Sequence, residues 1–306
     1  SCAADTLCCA ALNGTTGVVA EVNSETDFVA KNEVFQTFVQ SIADQALASS
    51  YNGGNNGEDV EALLGENGLK DALVEKTATI GEKLSFRRFR KLSGDIVVSY
   101  LHGGGRIGVL VAGKGASDDA AKEALTNIAM QIAAMNPQYL SSADISADEL
   151  AKIEEITVDS ALNDPATLPK PILQKLIDKA IADGKWSTET VAIYEEKKSN
   201  MNFLFNFLPE EAKNALVALA MEDKAAIVGD KIFDGLVKGR ISKQQKEICL
   251  MEQTYVKAED GKQSVGKYLQ SVNGNLSVDS FVRFEVGEGM EKKNEDFAAE
   301  VAAQMK

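Results

Sequence analysis

The sequence holds one histidine, His102, and one tryptophan, Trp186, in 306 residues. A lone histidine excludes a His-rich metal site. A Ser-His-Asp triad would have to be built on His102 alone. There are four cysteines, Cys2, Cys8, Cys9 and Cys249, none in Cys-x-x-Cys spacing. The adjacent pair Cys8–Cys9 suits neither a disulfide nor a zinc site. The set reads as reduced thiols in a cytosol-like compartment. Cations are in deficit: 32 Lys and Arg stand against 46 Asp and Glu, a formal net charge of −14. That excludes a broad phosphate-neutralising surface and disfavours nucleic acid or an anionic membrane as partner. An acidic chain still fits a basic patch on a protein. No apolar run reaches the roughly 18 residues that a transmembrane helix needs. The opening Ser1-Cys2-Ala3-Ala4-Asp5 lacks a charged n-region and an initiator methionine. It reads as no secretory signal and as the interior of a longer, processed or trimmed product.

What is present is a globular chain. Hydrophobic residues make up 44%, ordinary usage that excludes disorder. The length is about twice the usual domain prior of roughly 150 residues. One domain with additions, or two to three subdomains, is expected. Residues 17–23 read as a strand. From Asp27 the period changes: Phe35, Phe38, Val39, Ile42 and Ala46 recur at helical spacing, predicting one amphipathic helix over 28–48. Asn52–Gly57 is a loop by composition, and a second helix covers Leu69–Thr79. The segments 83–90, 96–101 and 107–111 then predict a three-stranded antiparallel meander, with His102-Gly103-Gly104-Gly105 as a hairpin connection. A helix over 117–135 is capped by Ser117 and stopped by Asn136-Pro137. Ser146-Ala147-Asp148-Glu149 is a capping box for the next helix. From about 155 to 235 the pattern is helical, broken at Asp164-Pro165, Asp183-Gly184 and Leu208-Pro209, and reads as an excursion in the form of a long antiparallel hairpin. A helix-rich stretch over Gly235–Met251, a helix over Ser264–Ser271, a strand over Val278–Val286 and a terminal helix from Asn294 close the chain.

Several motifs carry a bland reading beside a functional one. Gly103-Gly104-Gly105-Arg106-Ile107-Gly108 matches G-x-G-x-x-G, but a strand-like segment follows where a dinucleotide site needs a helix, so a hairpin turn is the better reading. Phe86-Arg87-Arg88-Phe89-Arg90 interleaves aromatics with cations as nucleic-acid strands do. The acidic balance favours a solvated strand face with Phe86 and Phe89 partly in the core. Over Glu21–Asn32 the bland reading is strand, turn and helix start, with Thr26 or Asp27 as N-cap and Phe28 in the core. A large apolar residue directly after the cap, however, tends to point away from the stripe begun by Phe35 and Phe38. An exposed Phe28 beside an exposed carboxylate would make a protein-contact knob.

At this stretch the sequence resembles elongation factor Ts, the guanine-nucleotide exchange factor of elongation factor Tu. Glu21–Asn32 fits the family's Thr-Asp-Phe-Val signature. Thr79-Ile80-Gly81-Glu82-Lys83 is similar to its Ile-Gly-Glu segment. Ser99–Gly103 with Arg106–Val111 resembles its Tyr-x-His-Gly…Arg-Ile-Gly-Val hairpin. Ala129–Ala134 is similar to its alanine-rich helix. Arg283–Gly289 and Asp296–Val301 resemble its C-terminal end. The likeness covers roughly 10–155 and 230–306. Its small N-terminal helical domain, with the Thr-Gly-Ala-Gly and Cys-Lys-x-Ala-Leu signatures, is missing here, and residues 156–236 are longer than the insertion of many members.

The resemblance implies an α+β fold. Its two-lobed core of antiparallel sheet with packed helices comprises an N-subdomain over 1–115 and a C-subdomain over 116–155 and 237–290. A helical, coiled-coil-like insertion spans 156–236, and a C-terminal helix spans 291–306. It implies a non-enzymatic exchange factor with no cofactor or metal, whose partner is elongation factor Tu, GDP-bound or nucleotide-free, without direct contact to nucleic acid or membrane. Homo-oligomerisation stays open. The expected partner-binding residues are Thr26, Asp27, Phe28 and Val29 at the tip, Ile80 and Gly81 in a neighbouring loop, His102, and Phe297 and Val301 on the C-terminal helix. The Asp27–Phe28 tip would enter the GTPase domain near its Mg²⁺ and phosphate site. The C-terminal half of the core would grip another domain of Tu. A bacterial cytoplasm is the expected location, with a plastid or mitochondrion as the alternative. Two competing readings remain: an exchange-inactive structural or ribosome-associated protein of the same fold, and an enzyme built on His102.

Overall fold

A computed structural model describes residues 6–290. Its first strands, β1 (Thr6–Leu12) and β2 (Thr16–Asn23), form an antiparallel hairpin. The Asn13 side chain closes its turn by accepting the Thr16 N–H at 2.8 Å. After β2 come the one-turn helix α1 (Asp27–Ala30), then α2 (Glu33–Ala48), α3 (Val60–Leu64) and α4 (Leu69–Ile80). The predicted single helix over 28–48 is therefore two. Lys31 and Asn32 interrupt it because Asn32 leaves the helical region and caps α2, its Oδ1 accepting the Val34 and Phe35 N–H groups at 2.8 and 3.2 Å. The helical stripe Phe35, Phe38, Val39, Ile42, Ala43 and Ala46 is buried as its spacing requires. It packs with Val18, Ala20, Val22, Phe86 and Phe89 of the sheet in one hydrophobic cluster.

Strand β3 (Ser85–Ser93) pairs antiparallel with β2, giving the order β1-β2-β3. Strands β4 (Ile96–His102) and β5 (Ile107–Lys114) begin a second sheet. This corrects the expected meander: β3 and β4 are consecutive but belong to different sheets. Gly94 and Asp95 carry the chain across, with the Asp95 N–H donating to the Gly113 carbonyl at 2.9 Å. Local alternation identifies a strand but not its neighbour, which burial of distant residues selects. Helix α5 (Asp119–Met135) covers the second sheet. Its N-cap is Asp118 rather than Ser117, accepting the Ala121 N–H at 3.0 Å. Asn136, in the left-handed conformation before Pro137, ends it.

Residues Ser141–Glu247 form a separate compact unit. It holds α6 (Ala147–Leu162), α7 (Lys170–Ala182), α8 (Thr188–Lys197), α9 (Met201–Phe207), α10 (Glu210–Glu222), α11 (Lys224–Val228) and most of α12 (Lys231–Ile248). Ser146 caps α6 by accepting the Glu149 N–H. In place of one long hairpin there are short helices around their own core of Leu162, Leu173, Ile177, Trp186, Leu216 and Phe233. The breaks at Asp164-Pro165, Asp183-Gly184 and Leu208-Pro209 are real helix ends. They let the chain fold back repeatedly.

The chain rejoins the first unit at Ile248. Cys249 bridges to Tyr139 in parallel, helix α13 (Val265–Val272) follows, and β6 (Ser277–Glu285) completes the second sheet in the order β4-β5-β6. The two sheets meet face to face through Cys8, Val19, Val97, Leu110, Val282 and Phe284. The first unit is thus layered as helix, sheet, sheet, helix, an α+β arrangement.

Candidate functional site

The site is built where β2 runs out. Asn23 and Ser24 are buried, while Glu25, Thr26, Asp27 and Phe28 are exposed. Phe28 is 85% exposed, the most exposed of the large hydrophobic residues among those described. A ring so exposed leaves apolar surface in water, flanked by the exposed polar residues Glu25, Thr26 and Asp27. Val29, by contrast, points into the core. The tip is therefore a lever: Val29 anchors it while Phe28 faces outward. Asp27, the first residue of α1, makes no hydrogen bond or ion pair among the described residues, so its charge stands free beside the Phe28 ring.

The capping chemistry differs from the sequence expectation. Thr26 holds the N-cap position of α1, but its side chain accepts no bond from the helix. Its hydroxyl donates to Glu82 Oε1, and its N–H donates to Glu82 Oε2 at 3.0 Å. The Ser24 hydroxyl donates to the Thr26 carbonyl at 3.1 Å, and Gln36 Nε2 to the Ala30 carbonyl at 2.9 Å. Glu82 follows directly after Gly81, which ends α4 with φ +81° and its N–H on the Thr77 carbonyl. A positive φ there is open to glycine and strained for other residues. So Ile80, half-buried against the first core, and Gly81, exposed, lie beside the tip. Two segments far apart in sequence are joined through one carboxylate. The sequence signal for Glu82 is weak, since a half-buried glutamate after a helix is unremarkable until its partner is seen.

Val34 on α2 and Val74 on α4 are 46% and 64% exposed. A groove of about 420 Å³ is lined by Glu33, Val34, Thr37, Phe38, Ser41 and Lys76. Nothing in the periodicity marked Val34 or Val74, because each lies outside the buried stripe of its helix.

His102 is exposed at the end of β4. Its Nδ1 lies 2.9 Å from the Tyr100 hydroxyl, and the two rings sit 5.9 Å apart. The hairpin beyond it has Gly103, Gly104 and Gly105 all at positive φ, the turn geometry that the glycine run serves. The Gly105 carbonyl accepts the Cys8 N–H at 2.8 Å, which seats this hairpin on β1. No bond links His102 to the tip. Phe297 and Val301 lie outside the described residues, as does Cys2. Among the described residues no group of three or more His, Cys, Asp or Glu side chains is arranged to hold a metal.

The arginine-rich strand is occupied internally. Glu21 is fully buried, and its two oxygens accept from Arg87 Nη1 at 2.9 Å and Arg88 Nε at 2.7 Å. The β-bulge at Glu21/Val22 places both arginines against one carboxylate. Arg88 also donates to the Glu285 carbonyl and lies over the Phe284 ring at 4.1 Å, while Arg87 donates to the Glu288 carbonyl. Phe86 and Phe89 are fully in the core, not partly. The expected solvated cationic face is thus corrected to an internal ion-pair cluster. Cys8 and Cys9 are also buried: burial pushes the Cys8 thiol far up and raises Cys9 to about 11, which keeps both protonated at neutral pH.

The family model described as elongation factor TS matches residues 25–288. The elongation factor Ts of Clostridioides difficile (strain 630) is 37% identical over 303 residues, covering 96% of this chain and 78% of that protein. The elongation factor Ts of Lactobacillus delbrueckii subsp. bulgaricus is 38% identical over 311 residues, covering 96% of this chain and 81% of that protein.

Proposed function

The chain belongs to the elongation factor Ts family, and on that premise we propose that it accelerates GDP release from elongation factor Tu by inserting the Asp27–Phe28 tip beside the Mg²⁺ and phosphate site. By family the role is nucleotide exchange, with no covalent chemistry. The observation that carries the finer reading is the 85% exposure of Phe28 on a turn held from both sides.

The physics is differential binding. Tu holds GDP through its P-loop and Mg²⁺, and an exchange factor lowers that affinity only by binding the nucleotide-free state more tightly. Moving the Phe28 ring from water into an apolar cleft supplies about 2–3 kcal/mol. At about 1.4 kcal/mol per tenfold, that is a factor of tens to about a hundred. The gain accrues to the open state alone if the cleft exists only there. The free Asp27 carboxylate adds a charge that competes with phosphate for the same positive surroundings. Val29 and the Asn32 cap transmit the push to the core instead of letting the turn fold away. His102, Ile80 and Gly81 present further contacts, and the hairpin seated on β1 is a second footing.

Stopped-flow release of a fluorescent GDP from Tu tests this. Phe28→Ala is expected to lower the saturated release rate at least about tenfold while circular dichroism and thermal midpoint stay unchanged. An unchanged release rate with Phe28→Ala rejects the tip.

A further inference from the structure

We propose that Glu82 is a positioning residue for exchange: its carboxylate clamps Thr26, so that the Asp27–Phe28 tip and the Ile80–Gly81 loop meet the partner as one preformed surface. The proposal rests on reading the tip as the partner contact.

The geometry is specific. A one-turn helix such as α1 has no stability of its own, because nucleation fixes several residues for a single hydrogen bond. The usual remedy is a side-chain cap, and Thr26 supplies none to α1. Its hydroxyl and its N–H both turn outward, to the two oxygens of a residue 56 positions away. Both bonds are charge-assisted, the stronger class. Glu82 is placed there by the left-handed Gly81, which reverses the chain at the end of α4. The remaining supports, buried Val29 and the Gln36–Ala30 bond, act on the other end of α1. Among the described residues, the other polar support on the Thr26 side of the tip is the Ser24 bond to the Thr26 carbonyl.

The consequence for exchange has a distinct kinetic form. If the tip is ordered only a fraction of the time, the apparent affinity for the partner falls by that fraction. Once bound, the tip is in place and the chemistry of release is unaltered. Loss of the clamp therefore raises the half-saturating concentration and spares the saturated rate. Loss of Phe28 does the reverse. A merely structural role for Glu82 would move neither.

The experiment measures GDP release over a range of Tu·GDP concentrations, together with amide hydrogen exchange of the free chain. Glu82→Ala is expected to raise the half-saturating concentration about tenfold, the scale of a bond to a charged group, with the saturated rate held. Glu82→Gln keeps one accepting oxygen and should fall between wild type and Glu82→Ala. Thr26→Val should add little on the Glu82→Ala background, since the pair acts as a unit. Exchange of the Thr26 amide should quicken in Glu82→Ala, while the sheet amides stay protected and the thermal midpoint falls by only a few degrees. Wild-type half-saturation and wild-type Thr26 protection in Glu82→Ala would overturn the clamp. If Phe28→Ala slows release while Glu82→Ala leaves half-saturation alone, only the clamp falls. If Phe28→Ala leaves release untouched, the tip reading falls and the clamp's part in exchange falls with it.

Discussion

Asp27 and Asn32 bracket the tip and carry different loads. Asn32 accepts two N–H groups at the start of α2, so Asn32→Ala should lower stability by about 1 kcal/mol, read by urea unfolding. Asp27 caps nothing and bonds nothing among the described residues. Asp27→Ala should therefore stay within about 0.5 kcal/mol of wild type and still slow GDP release, which separates its charge from any structural effect. Cys9 offers a pH test. Its thiol donates to Gln40 Oε1 at 2.8 Å and is raised from 9.0 to about 11, chiefly by burial. A thiol whose folded pKa lies above its unfolded one holds its proton in the folded state. The folded chain then binds more protons between those values, and stability falls as pH rises from about 9 to about 11. Cys9→Ala should flatten that fall in denaturation midpoints taken across pH 8–11; an equal slope in both proteins would contradict it. The residue-level features legible in sequence were those with local causes, such as the helix stop at Asn136; Phe28 was not among them, because its place after a cap reads first as core, and the structure corrects that by leaving it 85% exposed. Glu82 and Glu21 were not legible, because each acts on a residue tens of positions away.

At the scale of elements, burial in pairs decided what alternation left open. β1, with its Cys and Ala residues, carries no strong strand signal, yet it is a full strand because β2 needs an antiparallel neighbour there. β3 leaves the expected meander because Phe86 and Phe89 find their core beneath α2. The bulge that brings Arg87 and Arg88 onto Glu21 then fastens this sheet to the turn after β6. Removing one partner of a buried ion cluster leaves charge without compensation. Glu21→Ala should cost about 3–5 kcal/mol, seen as a drop in thermal midpoint, and the loss should be far greater than for Glu288→Ala. Glu288 is half-exposed and pairs with Arg88 at 3.3 Å, where surface screening limits its worth to about 1 kcal/mol or less.

Over the whole molecule, two sets of cores divide the chain. The core of Ser141–Glu247 is drawn entirely from that segment, and the remaining cores entirely from outside it. The chain leaves and returns at neighbouring backbone: Tyr139 bridges Cys249, and the Leu250 N–H donates to the Tyr139 carbonyl at 2.9 Å. Excising 141–247 and joining Leu140 to Ile248 through a short Gly-Ser linker should leave a cooperatively unfolding remainder by circular dichroism. Trp186 lies in the helical core, its Nε1 donating to the Ala212 carbonyl at 3.0 Å. As the only tryptophan, it reports that unit alone in fluorescence unfolding, and loss of its emission on excision should accompany retention of the sheet signal.

The sequence by itself determined the α+β class, the helices with strong periodicity, the family and the candidate tip. Each of these is written in local spacing or in an ordered run of motifs. Tertiary structure decided which strands share a sheet, that the helical segment folds back on itself around Trp186, that the arginines face inward, and that Thr26 is held by Glu82. Those outcomes depend on which distant groups must leave water together. A buried carboxylate demands cations, and a one-turn helix demands an outside partner, but neither demand names the residue that meets it until the chain is folded.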